Sequence, residues 1–296
     1  MELCCSRPPA KDLLLEELTL ELEGGAQVAV LRHRRPEGPT RPPVLYVHGI
    51  QSHPGWFIGS AQALARRGHE VYQLTRRGSG LARRDRGDAA SARQLMDDLR
   101  RGVDFVAAHS RADRLCLLGV SWGGKLLAAY ALGGDPRVLN LTLVAPGLCS
   151  KVNVPLGRRL AIGLSWLCCG RRRFDIPLND PALFTGNPAM RQYLRDDPHR
   201  LHQATARFLV ASVVLDERLR RAVPGSITVP TRLILARDDR IIDNAATAAL
   251  AARLTAGKFT VIELPGSHTL EFEEDPQPFF STLADAMELQ CDVKVP

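Results

Sequence analysis

The sequence predicts an α/β protein, a mostly parallel sheet flanked by helices with an inserted helical cap. Three observations predict it. Short β-branched or Leu-rich runs alternate with longer stretches rich in Ala and Arg, the order that βαβ units impose. Most of those runs are continuously apolar, as strands covered on both faces of a parallel sheet are. One stretch, 147–224, breaks the alternation between two strong strand signals and is too long for a crossover helix.

Taken in order, 18–23 and 28–33 alternate apolar and polar residues around Gly24-Gly25, which predicts an antiparallel hairpin on one sheet edge. Six strands follow, at 43–49, 70–75, 114–120, 138–145, 231–236 and 259–264. The helices between and after them are 56–67, 90–109, 123–132, 244–255 and 277–289. In the second, Leu95, Leu99, Val103 and Val106 recur at helical spacing, with Asp and Arg opposite. The stretch 147–224 carries Arg158-Arg159, a mixed apolar and basic segment, and turns at Pro177, Pro181, Pro188 and Pro198. Short amphipathic helices above the carboxyl ends of the strands fit it. The expected organisation is a core in two parts, 1–146 and 225–296, interrupted by a cap at 147–224, with no internal repeat.

Composition narrows the function classes. The chain has 296 residues, 45% hydrophobic and 24% charged, which is a folded composition. No apolar run approaches the roughly 20 residues of a membrane helix. Met1-Glu2-Leu3-Cys4-Cys5-Ser6 lacks the cationic and apolar regions of a signal peptide, so a cytoplasmic protein is expected. The seven cysteines (Cys4, Cys5, Cys116, Cys149, Cys168, Cys169, Cys291) show no C-x-x-C or Cys/His spacing; free thiols, not a metal site, are expected. The net charge of +7 raises nucleic acid as a partner, but the arginines are dispersed and aromatics are 5%, too few for base stacking. Nucleic-acid binding is not expected, and oligomeric state is not legible.

The sharpest motif is Gly119-Val120-Ser121-Trp122-Gly123, a G-x-S-x-G directly after a strand and before a helix. A serine on such a tight turn holds its Oγ clear of the sheet, and the helix N-terminus favours developing negative charge. A second loop, His48-Gly49-Ile50-Gln51-Ser52-His53, follows an earlier strand. Acyl transfer needs two N–H donors facing the oxyanion, and Ile50 and Trp122 are the candidates. His48 and His53 read as loop organisers rather than bases. The strand at 231–236 ends in Arg237-Asp238-Asp239-Arg240-Ile241-Ile242-Asp243, and that at 259–264 in Pro265-Gly266-Ser267-His268. A serine, then an aspartate, then His268, each after its own strand, is a nucleophile–acid–base order in which the histidine takes the serine proton and the aspartate fixes its tautomer.

At these residues the chain resembles the α/β-hydrolase superfamily of serine hydrolases, in its monoacylglycerol lipase or lysophospholipase-like (serine aminopeptidase-like) branch. The resemblance runs from residue 18 to residue 289 and implies an eight-stranded, mostly parallel sheet. In that branch the acid comes three residues after a small residue closing its strand. Ala236 takes that place, which implies Asp239 as the acid, Asp238 as its rival and Asp243 as a helix N-cap. The catalytic set so implied is Ser121, Asp239 and His268, with Ile50 and Trp122 as the oxyanion hole and neither cofactor nor metal. The family commonly has Asp before R-G-x-G; Thr75 stands there, ahead of Arg76-Arg77-Gly78-Ser79-Gly80. Arg83 occupies the third glycine position of a dinucleotide fingerprint, so NAD binding is not expected.

The activity implied is hydrolysis of a lipid-like or acyl monoester through an acyl-enzyme on Ser121. A thioesterase, amidase or aminopeptidase, C–C hydrolase or cofactor-free haloperoxidase would use the same residues, and a non-catalytic ligand-binding relative shares the fold. Trp166, Leu167, Phe174, Phe184 and Phe208 are candidates to wall an acyl pocket, while Arg158, Arg159, Arg171, Arg172 and Arg173 read as a solvated basic face.

Overall fold

The structure, a computed structural model, describes residues 4–80, 82, 85–152 and 154–288; residues 1–3, Arg83, Leu289 and Cys291, named above, lie outside it. The hairpin forms from β1 (Leu14–Glu21) and β2 (Gln27–Arg34). It turns at Gly24 and Gly25, whose φ of 79° and 73° only glycine adopts freely. Then come β3 (Val44–Val47), a 3₁₀ turn over Pro54–Phe57, α1 (Ile58–Arg66), β4 (Val71–Leu74), α2 (Ala92–Ser110), β5 (Leu115–Val120), α3 (Trp122–Ala131) and β6 (Val138–Val144). The chain finishes with β9 (Thr231–Ala236), α7 (Asn244–Leu254), β10 (Phe259–Leu264) and α8 (Gln277–Glu288). Ser91 caps α2 by accepting from Gln94 N, and Leu95, Leu99, Val103 and Val106 form its buried face.

The eight-stranded sheet has the order β1-β2-β4-β3-β5-β6-β9-β10. Only the hairpin and its junction with β4 are antiparallel; every pairing from β4 through β3, β5, β6 and β9 to β10 is parallel. This is the α/β-hydrolase arrangement. β3, β4 and β5 are buried along their whole length, as continuous apolar runs require. β10 departs from that expectation: Thr260, Val261 and Glu263 are exposed, because it pairs only with β9 and closes the sheet. The connections put the carboxyl ends of β3, β5, β9 and β10 on one rim, where the strand order also reverses, the place at which open α/β sheets bind ligands.

Between β6 and β9 lie α4 (Leu156–Cys168), β7 (Arg173–Asp175), α5 (Pro188–Asp196), β8 (Gln203–Thr205) and α6 (Ala206–Arg221). The antiparallel β7–β8 ribbon is absent from the sequence reading, since strands of three residues carry no alternation to detect. Two prolines expected in turns instead open helices: Pro181 a 3₁₀ helix behind Asp180, and Pro188 the first turn of α5 behind Asn187, where a missing N–H costs nothing. Among the described residues, no helix is long and apolar enough to cross a membrane.

One buried carboxyl ties the rim to α1. Glu271 accepts from the backbone N of Gly59 (2.6 Å) and Ser60 (3.2 Å) and from Ser60 Oγ (2.5 Å), at the N-terminal turn of α1. Burial pushes its pKa up to about 7, against the pull of the Ser60 hydroxyl and the two amides. A carboxyl whose pKa is raised by folding stabilises most below its unfolded value, and that contribution is lost as pH rises through about 7. The melting temperature of Glu271→Gln, followed by circular dichroism, is therefore expected to gain on that of the native chain as pH rises from about 5 to about 8; parallel curves would contradict the assignment.

Candidate active site

The nucleophile candidate sits on a strained corner. Ser121, between β5 and α3, has φ 53° and ψ −124°, outside the regions that L-residues favour. Its N donates to Val144 O (2.9 Å), and its carbonyl accepts from Gly124 N (2.9 Å) and Gly147 N (2.7 Å). Those bonds are possible because the flanking glycines leave room. A Cβ on Gly119 would lie 2.7 Å from Gly124 Cα, and one on Gly123 would lie 2.6 Å from His48 O and closer still to Val47 O. The sequence motif is thus a packing requirement between β3, β5 and α3.

His268, in the loop after β10, is buried, with Nε2 2.9 Å from Ser121 Oγ and Nδ1 2.8 Å from Asp239 Oδ2. Asp239, after β9, is also buried, and its other oxygen accepts from Ile241 N (2.8 Å) and Ile242 N (2.9 Å). Burial by itself raises the Asp239 pKa, but the His268 charge and hydrogen bond and the amides of Ile242 and Ile241 outweigh it, so the net direction is down. Asp239 is held ionised. Asp238 is exposed and meets Gly266 O through its backbone N, and Asp243 caps α7 through Ala246 N (3.0 Å). Of the three carboxylates, Asp239 alone hydrogen-bonds His268 among the described residues.

Ile50 and Trp122 flank this set. Trp122 is the first residue of α3, so its N–H has no intrahelical acceptor. The Ile50 N–H donates to no acceptor among the described residues. A Cβ on Gly49 would lie 3.2 Å from Ser121 Cβ, which places the 48–50 loop directly against the serine. Both histidines of that loop are tied away from it. His48 Nδ1 meets Gly49 O (2.9 Å) and its Nε2 meets Arg76 N (3.3 Å) and Ser79 Oγ (3.2 Å). Burial first, and then the Arg76 charge, depress its pKa well below the ordinary value, so the ring is neutral. His53 Nε2 pairs with Asp197 Oδ2 (3.0 Å), which also accepts from Trp56 Nε1 (2.7 Å).

The aromatic candidates divide. Phe184 is buried edge-on against His268, 5.9 Å between ring centres, and Phe208 stacks on Trp122 at 5.3 Å. Trp166 and Leu167 are exposed instead, and Phe174 lies under the Arg172 guanidinium. Of α4, which packs on α6, only Ser165 is buried, and its leucines and Trp166 are exposed. The clefts of about 690 and 510 Å³ are open grooves, one beside the β1–β2 hairpin and one between α1 and α8, and neither is lined by Ser121, Asp239 or His268. Among the described residues no group of His, Cys, Asp or Glu is placed to hold a metal ion.

Sequence reasoning missed three contacts. Ser212 of α6 accepts from Trp122 Nε1 (2.9 Å), Asp197 spans from α5 to the His53 loop, and Arg76 donates through Nη2 to Gly49 O (2.7 Å) and Ile50 O (2.9 Å). The available signal was Arg76 itself, a charge directly after a buried strand.

Comparison with known proteins follows the same lines. The family described as serine aminopeptidase, S33, matches residues 38–275. No curated protein is similar enough in sequence to count as a relative. Among solved structures, the chain is similar to the Paleococcus ferrophilus monoacylglycerol lipase (TM-score 0.77, 18% identity, 94% of this chain and 99% of that one). It is also similar to a soluble variant of the Saccharomyces cerevisiae monoglyceride lipase (0.82, 18%, 97% and 98%). A thermostable carboxyl esterase from Bacillus coagulans gives 0.75 at 15% identity over 93% and 97%.

Gly123→Ala is expected to destabilise the protein by about 1–3 kcal/mol, since the new methyl meets backbone oxygens that cannot swing aside. The urea midpoint measures this; an unchanged midpoint would mean that β3 and α3 pack less closely than described.

Proposed function

The chain belongs to the serine aminopeptidase S33 family of hydrolases, and on that premise we propose that it is a serine hydrolase cleaving a lipid-like or acyl monoester, with Ser121, His268 and Asp239 as its catalytic residues and Ile50 and Trp122 as its oxyanion hole. The observation that carries this reading is the hydrogen-bonded chain from Ser121 Oγ through His268 to Asp239. Ser121 Oγ attacks the ester carbonyl carbon and its proton passes to His268 Nε2. The carbonyl oxygen becomes an oxyanion facing the N–H groups of Ile50 and Trp122. Asp239, ionised at neutral pH, stabilises the imidazolium through Nδ1. The C–O bond to the alcohol breaks as His268 returns the proton to the departing oxygen. Water, deprotonated by His268, then attacks the acyl-enzyme, and the carboxylic acid leaves as Ser121 recovers its proton.

The solved neighbours named for monoacylglycerols, monoglycerides and carboxyl esters support the ester bond as the target. The lipid-like character is supported by α4. Leu156, Leu160, Leu164 and Leu167 fall on one stripe of this helix and are 72, 66, 65 and 74% exposed, with Trp166 beside them. Arg159 precedes the second leucine, and Arg171, Arg172 and Arg173 follow the helix, all exposed. In this reading the stretch 147–224 is a cap whose inner helix, α6, roofs Trp122 through Phe208 and Ser212 while α4 meets the lipid aggregate that holds the substrate. A leucine stripe suits the acyl region, and the flanking arginines suit anionic headgroups.

Purified protein is expected to hydrolyse a short p-nitrophenyl ester and to be labelled by a fluorophosphonate. Ser121→Ala should abolish both, and Asp239→Asn should lower turnover by about 10⁴ while Asp238→Asn leaves it near the native rate. Undiminished turnover in Ser121→Ala would reject the reading. The double variant Leu160→Gln, Leu164→Gln should keep the soluble ester rate within about twofold. It should lose most turnover of a long-chain monoester carried in phosphatidylglycerol vesicles; equal losses on both substrates would remove the role of α4.

A further inference from the structure

Arg76 is a cation buried without a counter-ion among the described residues. It follows β4, is 4% exposed, and makes no ion pair with a described carboxylate. Its Nη2 donates to the carbonyls of Gly49 and Ile50, while Nε and Nη1 have no acceptor among the described residues. The guanidinium lies 4.7 Å from the centre of the Trp122 ring and 6.0 Å from that of Phe208. Burial lowers its pKa to about 9, which leaves it charged at neutral pH. Packing alone gives a chain little reason to keep a charge in such a place, because an apolar side chain of similar volume fills it without the cost of desolvation.

The peptide unit it holds explains the placement. The Gly49 carbonyl and the Ile50 N–H belong to one planar trans peptide and point in opposite directions. Gly49 O receives two donors, Arg76 Nη2 at 2.7 Å and His48 Nδ1 at 2.9 Å. The second is a donor because His48 Nε2 is occupied as acceptor by Arg76 N, which sets the tautomer. With two donors on Gly49 O the peptide plane is held, and with it the direction of the Ile50 N–H, in a loop whose Gly49 abuts Ser121. A charged donor on the carbonyl also polarises the amide and strengthens the N–H at its other end. The same guanidinium lies against Trp122, whose N–H is the second donor. We infer that Arg76 is the positioning residue of the oxyanion hole, holding Ile50 through the Gly49 carbonyl and Trp122 through its ring. This rests on the proposed serine-hydrolase reading.

The test compares the full-length native chain with Arg76→Met, Arg76→Gln and Arg76→Lys. Steady-state hydrolysis of a p-nitrophenyl ester, the rate of fluorophosphonate labelling, and the inhibition constant of a trifluoromethyl ketone, whose serine adduct places an oxyanion in the hole, are read for each. Arg76→Met should lower kcat by about 10–10² with KM nearly unchanged, the effect of misplacing a donor rather than of losing binding. The inhibition constant should weaken by the same factor, and Arg76→Lys, which keeps the charge, should recover part of both. A folded Arg76→Met or Arg76→Gln protein with native kcat would overturn the inference, as would a loss confined to KM or a fall in kcat with unaltered ketone affinity. Should Arg76→Met fail to fold, Arg76→Gln and Arg76→Lys carry the same comparison. If the native chain neither turns over esters nor is labelled, the hydrolase reading itself falls and takes this inference with it. If the native chain is labelled and the variants are labelled at the same rate, only the role of Arg76 falls.

Discussion

The backbone of Ser121 is the constraint from which the site is built. A residue with φ 53° and ψ −124° stores strain of order 1–3 kcal/mol, and it persists only where its surroundings leave no alternative. Here four backbone hydrogen bonds, one accepted by Val144 and three donated by Gly124, Lys125 and Gly147, grip both ends of the residue. They come from β6, from α3 and from the loop after β6, so the corner is held by pieces that meet only when the sheet has formed. The approach of α3 to β3 at Gly123 and the return of α3 toward β5 at Gly119 complete the grip. Loosening any of these would release the serine toward an ordinary turn.

Around that corner the protein buries charge and then supplies a partner for nearly every atom of it. Asp239 spends one oxygen on two amides and the other on His268; Glu271 is met by two amides and a hydroxyl; His48 is held neutral between a carbonyl and an amide. In a low-dielectric interior such bonds orient groups strongly because the alternative, an unmet polar atom, is costly. Arg76 stands apart in having two N–H groups without described partners, while it bonds Ile50 O and lies over the Trp122 ring. The rim therefore carries fixed dipoles and a buried guanidinium with no described counter-ion, an electrostatic setting that suits the oxyanion of the proposed reaction.

The insertion between β6 and β9 faces two ways. The buried side of α6, through Phe208, Ala211, Ser212 and Leu215, rests on the elbow helix, and Phe184 closes against His268. The outer helix α4 buries Ser165 and shows its leucines to solvent, the reverse of a helix packed on a core. On the proposed function, substrate access and surface contact fall to different helices of one insertion.

Much of this was legible in the chain itself. Continuous apolar runs marked the parallel strands, because burial on both faces leaves a local record. The G-x-S-x-G turn marked the elbow, because the glycines are demanded by neighbours a few residues away. The order of Ser121, an aspartate and His268 named the candidates for one rim. The family resemblance points to Asp239 over Asp238; the tertiary structure alone decided that the Asp239 carboxylate and the Ser121 hydroxyl meet one histidine, His268, since the three follow different strands. It decided likewise that Phe208 faces the site while Trp166 faces solvent, that β7 pairs with β8, and that Arg76 clasps the 48–50 loop. Each is a pairing between segments far apart in sequence, where composition and periodicity record how a residue is buried but not against what.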